Sequence, residues 1–298
     1  MNQQATYFRF LEAAGHSVIE MEGVYWFKYN GFLRPAYLPH ASPSISTTQA
    51  QKALKASKAP FIRWESGFGS KNQGDWWHVT KSGSYSISDC SSNTRSKIRR
   101  GDKRLQSRLL TPEEVRKFGY RVCEQTVKRY GSKHFLPNPA EFDLKIHAAE
   151  SYPEAFEYYG VFSGHDLVGF SENHKQGNAV FWESIWYDPD HLGDYSSYLL
   201  THSMLDYYLN AEKVQYVSDG SRSLFHETNV QTFFIEKFHF SKTYADLHIL
   251  YHPLFKCGLT AAKFFMPFAN KLKPIKEMTF MKKIEGLLIQ DQISSSVL

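Results

Sequence analysis

The stretch FEYYGVFSGHDLVGFSENHKQGNAVFWESIWYDP (residues 156–189) constrains the fold more than any other part of the chain. Three aromatic and β-branched runs are separated by short turns at Ser163-Gly164 and Gln176-Gly177-Asn178, which predicts three hairpin-linked strands. SSYLLTHSMLDYYLNA follows as a helix, VQYVSD as a strand, NVQTFFIEKFHF as a short aromatic helix and SKTYADLHILYH as a last strand or hairpin. Thr228 and Gln231 fit a capping box for the aromatic helix, and Val230, Phe233, Phe234 and Phe238 share one face of it. The order β-β-β-α-β-α-β implies a mixed sheet flanked by helices, an α/β chain of the α+β mixed-sheet kind.

The first hundred or so residues mix strands with helix. VYWFKYNGFLRPAYL predicts a hairpin around Asn30-Gly31. SPSISTT supplies a hydroxyl cap for a helix in QAQKALKASK. APFIRW and DWWHV read as strands and the Gly/Ser-rich ESGFGSKNQG between them as a loop. SSNTRSKIRRGDKR predicts a helix capped by Ser92 or Asn93, with Ile98 inward and Gly101 a weak point. TPEEVRKFGYRVCEQTVKRYG predicts a helix that starts at Thr111-Pro112 and stops at Gly131, and NPAEFDLKIHAAESY a second one.

A length of 298 residues suits two domains of about 150 each, and 42% hydrophobic residues suffice for real cores. No internal repeat shows by direct identity. Cys90, Cys123 and Cys257 are odd in number and widely spaced. They make neither a disulfide framework nor a zinc knuckle and fit a reducing compartment. The N-terminus has no basic flank followed by an apolar run, and no segment approaches the ~18 apolar residues of a spanning helix. A cytoplasmic protein is the expectation.

The net charge of +5 is local rather than general. RSKIRRGDKRLQSR carries seven Lys/Arg against one Asp, and residues 253–283 carry seven Lys against one Glu. Arg95, Arg99 and Lys103 recur every fourth residue, a helical stripe joined by Arg100 and Arg104. Such a cluster suits phosphates of tRNA, a nucleotide or coenzyme A; its plainer reading is a solvated helix face. The tail PLFKCGLTAAKFFMPFANKLKPIKEMTFMKK mixes Phe, Met and Leu with Lys. It fits an amphipathic helix on an anionic membrane surface or a segment packed on the N-terminal domain, the reading preferred here.

Three features in order resemble the GNAT acyltransferase superfamily. The strands Glu157–Phe162 and Asp166–Ser171 resemble its first hairpin. WYDPDHLGDYSSYLL resembles the path from its central strand through a Pro to a phosphate-binding loop and helix. NVQTFFIEKFHF resembles its Asn, short aromatic helix and closing Gly-Phe. A narrower resemblance, carried by NTRSKIRRGDKR and VQYVSDGSR, is to Fem-type aminoacyltransferases, which place two GNAT-like units in one chain. It implies tandem units: a divergent N-terminal one over 1–104 ending in the basic segment, an acyltransferase unit over 105–253, and a basic tail over 254–298 packing on the first. The implied partners are an acyl donor, acyl-CoA or aminoacyl-tRNA, and an amine acceptor, with no tightly bound cofactor. The chain departs from the superfamily pattern at three points. The loop HLGDYSS has one glycine, Gly193, and an acid, Asp194, where a pyrophosphate would sit; Ile235 stands where a Tyr acid is common; His239 replaces the closing Gly. These departures favour the Fem-type branch.

The candidate chemistry is acyl or aminoacyl transfer to an amine, held where two neighbouring strands diverge. Glu183 is expected on one strand face with Phe181, Ile185 and Tyr187, where apolar neighbours would raise its pKa and make it a general base; the plainer reading is an exposed Glu. Asp219 ends a strand and could orient the acceptor or take its proton, or simply form an Asp-Gly turn. Arg222 could hold a carboxylate or phosphate and His226 shuttle a proton, both otherwise surface residues. Asn229 is a helix cap first and a substrate ligand second; Tyr195, in the loop segment, is a further substrate-binding candidate. His248 and His252 lie about 13 Å apart on a strand, so no metal site is expected from them. The rival reading is a non-catalytic anion- or nucleotide-binding module on the same fold.

Overall fold

A computed structural model describes residues 3–130, 136–224, 229–269 and 279–296. From the N-terminus these form α1 (Gln3–Ala13), β1 (Val18–Met21), β2 (Val24–Tyr29), β3 (Phe32–Pro35), α2 (Thr47–Ser57), β4 (Phe61–Ser70), β5 (Trp77–Ser82), α3 (Ser92–Asp102) and β6 (Gln106–Leu110). A turn of helix at Pro112–Glu114 and a π-helical turn at Val115–Gly119 lead into α4 (Tyr120–Tyr130), then α5 (Pro139–Ser151). The remainder is β7 (Phe156–Ser163), β8 (Asp166–Gln176), β9 (Ala179–Tyr187), α6 (Ser196–Leu205), β10 (Tyr216–Ser221), α7 (Val230–Phe238), β11 (Ser241–Tyr251), α8 (Pro253–Ala269) and α9 (Thr279–Ser295).

The chain divides into two compact units, each assembled from separate segments. One holds Met1–Gly15, Val79–Gly220 and Val230–Ser241, the other His16–His78, Ser221–Asn229 and Lys242–Leu298. These limits differ from the sequence boundaries 1–104, 105–253 and 254–298. Residues 79–104 and α1 sit with residues 105–220, and β11 joins the N-terminal strands.

In the first unit the strands run β5-β10-β9-β8-β7-β6. β6 to β9 form an antiparallel meander, and β9 pairs β10 in parallel. The two turns of the 156–189 stretch close the meander where the sequence predicts. α4, α5 and α1 cover the sheet face of Phe170, Glu172 and His174. A Cβ on Gly119 would meet Phe142 and Phe170, and Phe10 stacks on Phe156 at 4.7 Å. α6 and α7 cover the other face, with Ser171 Oγ 2.9 Å from Met204 Sδ and the Trp182 ring 5.4 Å from Phe234. Ile98 is buried as predicted, but Ser91 caps α3 in place of Ser92 or Asn93. Of the predicted aromatic face, Phe234 and Phe238 are buried while Val230 is exposed. Thr228 of the expected capping box and Gly131 of the expected helix stop lie outside the described residues.

The second unit orders its strands β1-β2-β3-β4-β11. Asn30 and Gly31 both take positive φ, 49° and 87°, as the two-residue hairpin turn between β2 and β3 requires. Ser46 and Gln49 make a reciprocal capping box for α2, whose Ala50, Ala53 and Leu54 pack with Trp26, Leu33, Ile62 and Trp64. The expected loop after APFIRW is instead strand as far as Ser70. β11 pairs along it from Tyr251↔Phe61 to Tyr244↔Ser70 with one bulge, so tertiary pairing overrides the Gly/Ser composition. α9 docks on this sheet through Ile293 and through Gln290, whose Oε1 accepts from Arg63 at 2.9 Å.

Candidate functional site

β9 and β10 run side by side for three pairs, Ala179 with Tyr216, Val180 with Val217 and Phe181 with Ser218. Past Phe181, β9 stays with β8 as far as the pair Tyr187–Gly169. β10 instead leans to β5, where Ser218 Oγ donates to the Val79 carbonyl. The two strands part at their carboxyl ends, the place where open α/β sheets receive ligands. Gly220 sits at the parting point. Its φ is +92°, and a Cβ there would lie 2.7 Å from the Phe181 ring, so a larger residue would clash. Asp219-Gly220 is therefore part of the strand rather than a free turn.

Alternation turns Asp219 to the face opposite Ser218 and Phe181, the face covered by α7. Gln231, in the first turn of α7, hydrogen-bonds the carboxyl. Burial pushes Asp219 up to about 7, and the Gln231 hydrogen bond offsets only part of that rise. Its environment is desolvation and one neutral amide, with no cation acting on it among the described residues.

Glu183 has a different environment. β9 bulges there: Glu172 pairs with Ser184 and Asn173 with Trp182, leaving residue 183 without an opposite number. The side chain turns to the face of Glu172 and His174, where α5 delivers Lys145. Lys145 Nζ lies 3.1 Å from Glu172 Oε2 and bonds Glu183 Oε2 as well. His174 Nε2 is 3.0 Å from the same Glu183 oxygen. Edges or faces of Tyr7, Phe10, Phe156 and Phe181 enclose the imidazole. Burial alone would raise Glu183, but Lys145 and His174 together hold it well below the usual carboxylate range. Burial would lower Lys145, and Glu172 and Glu183 raise it above the ordinary lysine value. The expected raised pKa of Glu183 is thus corrected, because its neighbours include a cation as well as apolar rings. The register also sets Glu183 and Asp219 on opposite faces of the sheet, so they do not line one pocket.

Lys145, Glu172 and His174 went unremarked in the sequence, and Gln231 was read there only as part of a helix cap. Glu172 and His174 alternate in SENHKQ, which places both on one strand face, and Lys145 lies in a helix with apolar neighbours. Those were the available signals.

The other candidates have separate fates. Arg222 lies in the second unit, its guanidinium 4.5 Å above the Trp77 ring and donating to the Asp75 carbonyl at 2.8 Å. Asn229 is exposed just before α7, and His226 lies outside the described residues. Tyr195 adopts left-handed backbone, φ 65°, at the N-cap of α6, with the Arg100 guanidinium 4.7 Å from its ring. Arg95 donates to the Cys90 carbonyl at 2.5 Å. Arg99 and Lys103 stay exposed. Arg104 Nη1 pairs Asp194 Oδ1 at 2.9 Å. Gly101 explains its own place in α3: a Cβ would stand 3.2 Å from the Tyr195 carbonyl, so the glycine lets α3 close on the start of α6. The N-terminus of α6, where the resemblance led one to expect a phosphate-binding loop, is thus flanked by an acid already paired to arginine. No group of His, Cys, Asp and Glu among the described residues is arranged to hold a metal ion.

Neither a known protein family nor a curated protein matches this sequence. Solved structures do match it in fold. A crystal structure of FemX aligns with TM-score 0.55 at 10% identity, over 85% of this chain and 92% of that one. The C-terminal domain of a putative lysylphosphatidylglycerol synthetase from Agrobacterium fabrum aligns with TM-score 0.53 at 9% identity, over 89% and 92%. L-PGS from Bacillus licheniformis aligns with TM-score 0.50 at 10% identity, over 82% and 90%. The chain thus shares its fold with these three structures.

Proposed function

We propose that the protein transfers an acyl or aminoacyl group from an activated ester or thioester to an amine where β9 and β10 part, with Asp219 as the proton acceptor. The observation that carries this reading is a desolvated carboxyl, titrating near 7, at the point where the two strands separate. A general base serves best when its pKa lies near the working pH. Above that value Asp219 is ionised. It takes a proton from the amine as nitrogen bonds to the carbonyl carbon. The tetrahedral intermediate then expels the donor oxygen or sulfur, which receives the proton. A backbone N–H of β9 beyond Phe181, where β10 no longer runs alongside, would hold the oxyanion. Glu183, ion-paired on the other face, takes no proton in this scheme; it fixes α5 against β8 and β9 through Lys145. The scheme uses neither a metal nor a tightly bound cofactor.

The donor favoured is an aminoacyl ester such as aminoacyl-tRNA rather than acyl-CoA. Asp194 and Arg104 pair where a pyrophosphate would meet α6, while exposed Arg99 and Lys103 remain for a nucleic-acid backbone. Similarity in fold to FemX and to lysylphosphatidylglycerol synthetases agrees with that choice. The test pairs labelled aminoacyl-tRNAs and acyl-CoAs with a panel of amines. Transfer from aminoacyl-tRNA is expected, and Asp219→Asn should lower it by about 10²–10⁴-fold. Unimpaired turnover in that variant would overturn the role of Asp219. Anion binding without turnover of any donor would instead establish the non-catalytic module.

A further inference from the structure

Arg34 of β3 and Arg63 of β4 stand side by side on one face of the second unit's sheet. The two strands run parallel with Leu33 paired to Ile62, so the next residues along, Arg34 and Arg63, are neighbours about 5 Å apart at Cα. What each guanidinium touches confirms the shared face. Arg34 pairs across β2 and β3 with Phe27, and its guanidinium lies 5.4 Å from the Phe27 ring and 5.5 Å from the Tyr29 ring. The Arg63 guanidinium lies 5.0 Å from the ring of Phe32, two residues before Arg34, and 5.4 Å from that of Trp76. Both arginines are half-buried.

Among the described residues neither has a counter-ion. Arg34 makes no hydrogen bond and no ion pair there. Arg63 donates to Gln290 Oε1 at 2.9 Å, a neutral amide. Glu65, two residues on and on the same face, instead pairs with His78 at 2.7 Å and accepts from Trp76 at 2.8 Å. Its charge reaches Arg63 only from beyond ion-pairing distance. Burial and the neighbouring Arg34 charge push Arg63 down to about 10, so it is still a cation at neutral pH. Two like charges side by side and half out of water are costly without an anion. The aromatic rings offset part of that cost but carry no net charge. Gln290 occupies one donor of Arg63, and the rest of both forks is free among the described residues.

We propose that Arg34 and Arg63 together bind an oxyanion, a carboxylate or a phosphate, between their guanidinium groups. A planar fork meets either group with two parallel hydrogen bonds. This inference is independent of the transfer chemistry, since no residue of the Asp219 site takes part. The test is isothermal titration calorimetry of the full chain with phosphate, pyrophosphate, acetate and citrate at constant ionic strength. Binding of at least one of them is expected; phosphates alone or carboxylates alone would assign the ligand chemistry. Arg34→Gln and Arg63→Gln should each weaken that binding by about tenfold or more, and Arg34→Lys, which keeps the charge but not the fork, by less. Arg34 makes no hydrogen bond, so circular dichroism of Arg34→Gln should match the parent. Lys55→Gln/Lys58→Gln alters α2 and its end, on the opposite face of the sheet, and should leave binding unchanged. Absence of binding for all four anions, or binding unchanged in both arginine variants, would overturn the proposal. So would equal weakening by the lysine change, which would show attraction to general surface charge.

Discussion

Asp219 and Glu183 are both carboxylates on adjacent strands of one unit, and both are partly withdrawn from bulk water. They titrate in opposite directions. Asp219 rises to about 7, while Glu183 falls well below the usual range. The difference is the company each keeps. Glu183 meets the ammonium of Lys145 and the ring of His174, whereas Asp219 meets a neutral amide, Gln231. Burial raises an acid only until a cation arrives, after which Coulomb attraction wins. Two acids on parting strands thus divide into one held neutral longer and one held ionised, a separation that environment alone can impose and that the proposed mechanism uses.

This contrast can be attacked from either side. The largest effect on stability is expected at Lys145. Lys145→Met leaves Glu172 and Glu183 buried beside one another without a counter-charge, and should destabilise the protein by about 3–5 kcal/mol in denaturant unfolding. A loss below about 1 kcal/mol would mean that solvent already screens the network.

A smaller effect of opposite sign is expected at Asp219. Its folded pKa lies above its unfolded value, so the native state holds the proton more tightly. Stability is therefore lost as pH rises from about 4 to about 7, and the ionised form is the less stable one. Asp219→Asn should stabilise the protein by about 2 kcal/mol at pH 8, less than the full shift implies because the carboxyl keeps some contact with water, and by little at pH 4. Glu183 runs the other way: its contribution is present above the unfolded glutamate pKa and disappears as pH falls through its folded value. The smallest effect is expected at Gln231. Gln231→Leu removes a hydrogen bond that favours the anion, so the midpoint of the pH–rate profile should move upward with little change in thermal stability. A downward move would show that the amide does not donate to Asp219.

Much of the frame was legible in the sequence. The turns of residues 156–189, the Asn30-Gly31 hairpin and the cap at Thr111 are local signals, decided by a few neighbouring residues. The divergence of β9 and β10 was expected from the resemblance, and Gly220 shows what permits it. The site chemistry was only half legible. Asp219 was singled out because it ends a strand, yet its raised pKa depends on which groups fail to approach it, and no single segment records that. Glu183 was placed by strict strand alternation, which the bulge at that residue breaks. Its counter-ion comes from Lys145, 38 residues upstream. The run SGFGS misled for a similar reason: its backbone partners in β11 lie far along the chain. Long-range pairing and long-range charge were thus the two things that composition and spacing did not carry.

The most direct measurement is the titration of the Asp219 carboxyl itself, followed by carbon-detected NMR on selectively labelled protein and assigned with Asp219→Asn. A midpoint near 7 is predicted, with the glutamate carboxyl of residue 183 still ionised well below pH 4.5. An Asp219 midpoint near that of an ordinary aspartate, about 4, would contradict the account and remove its proton acceptor.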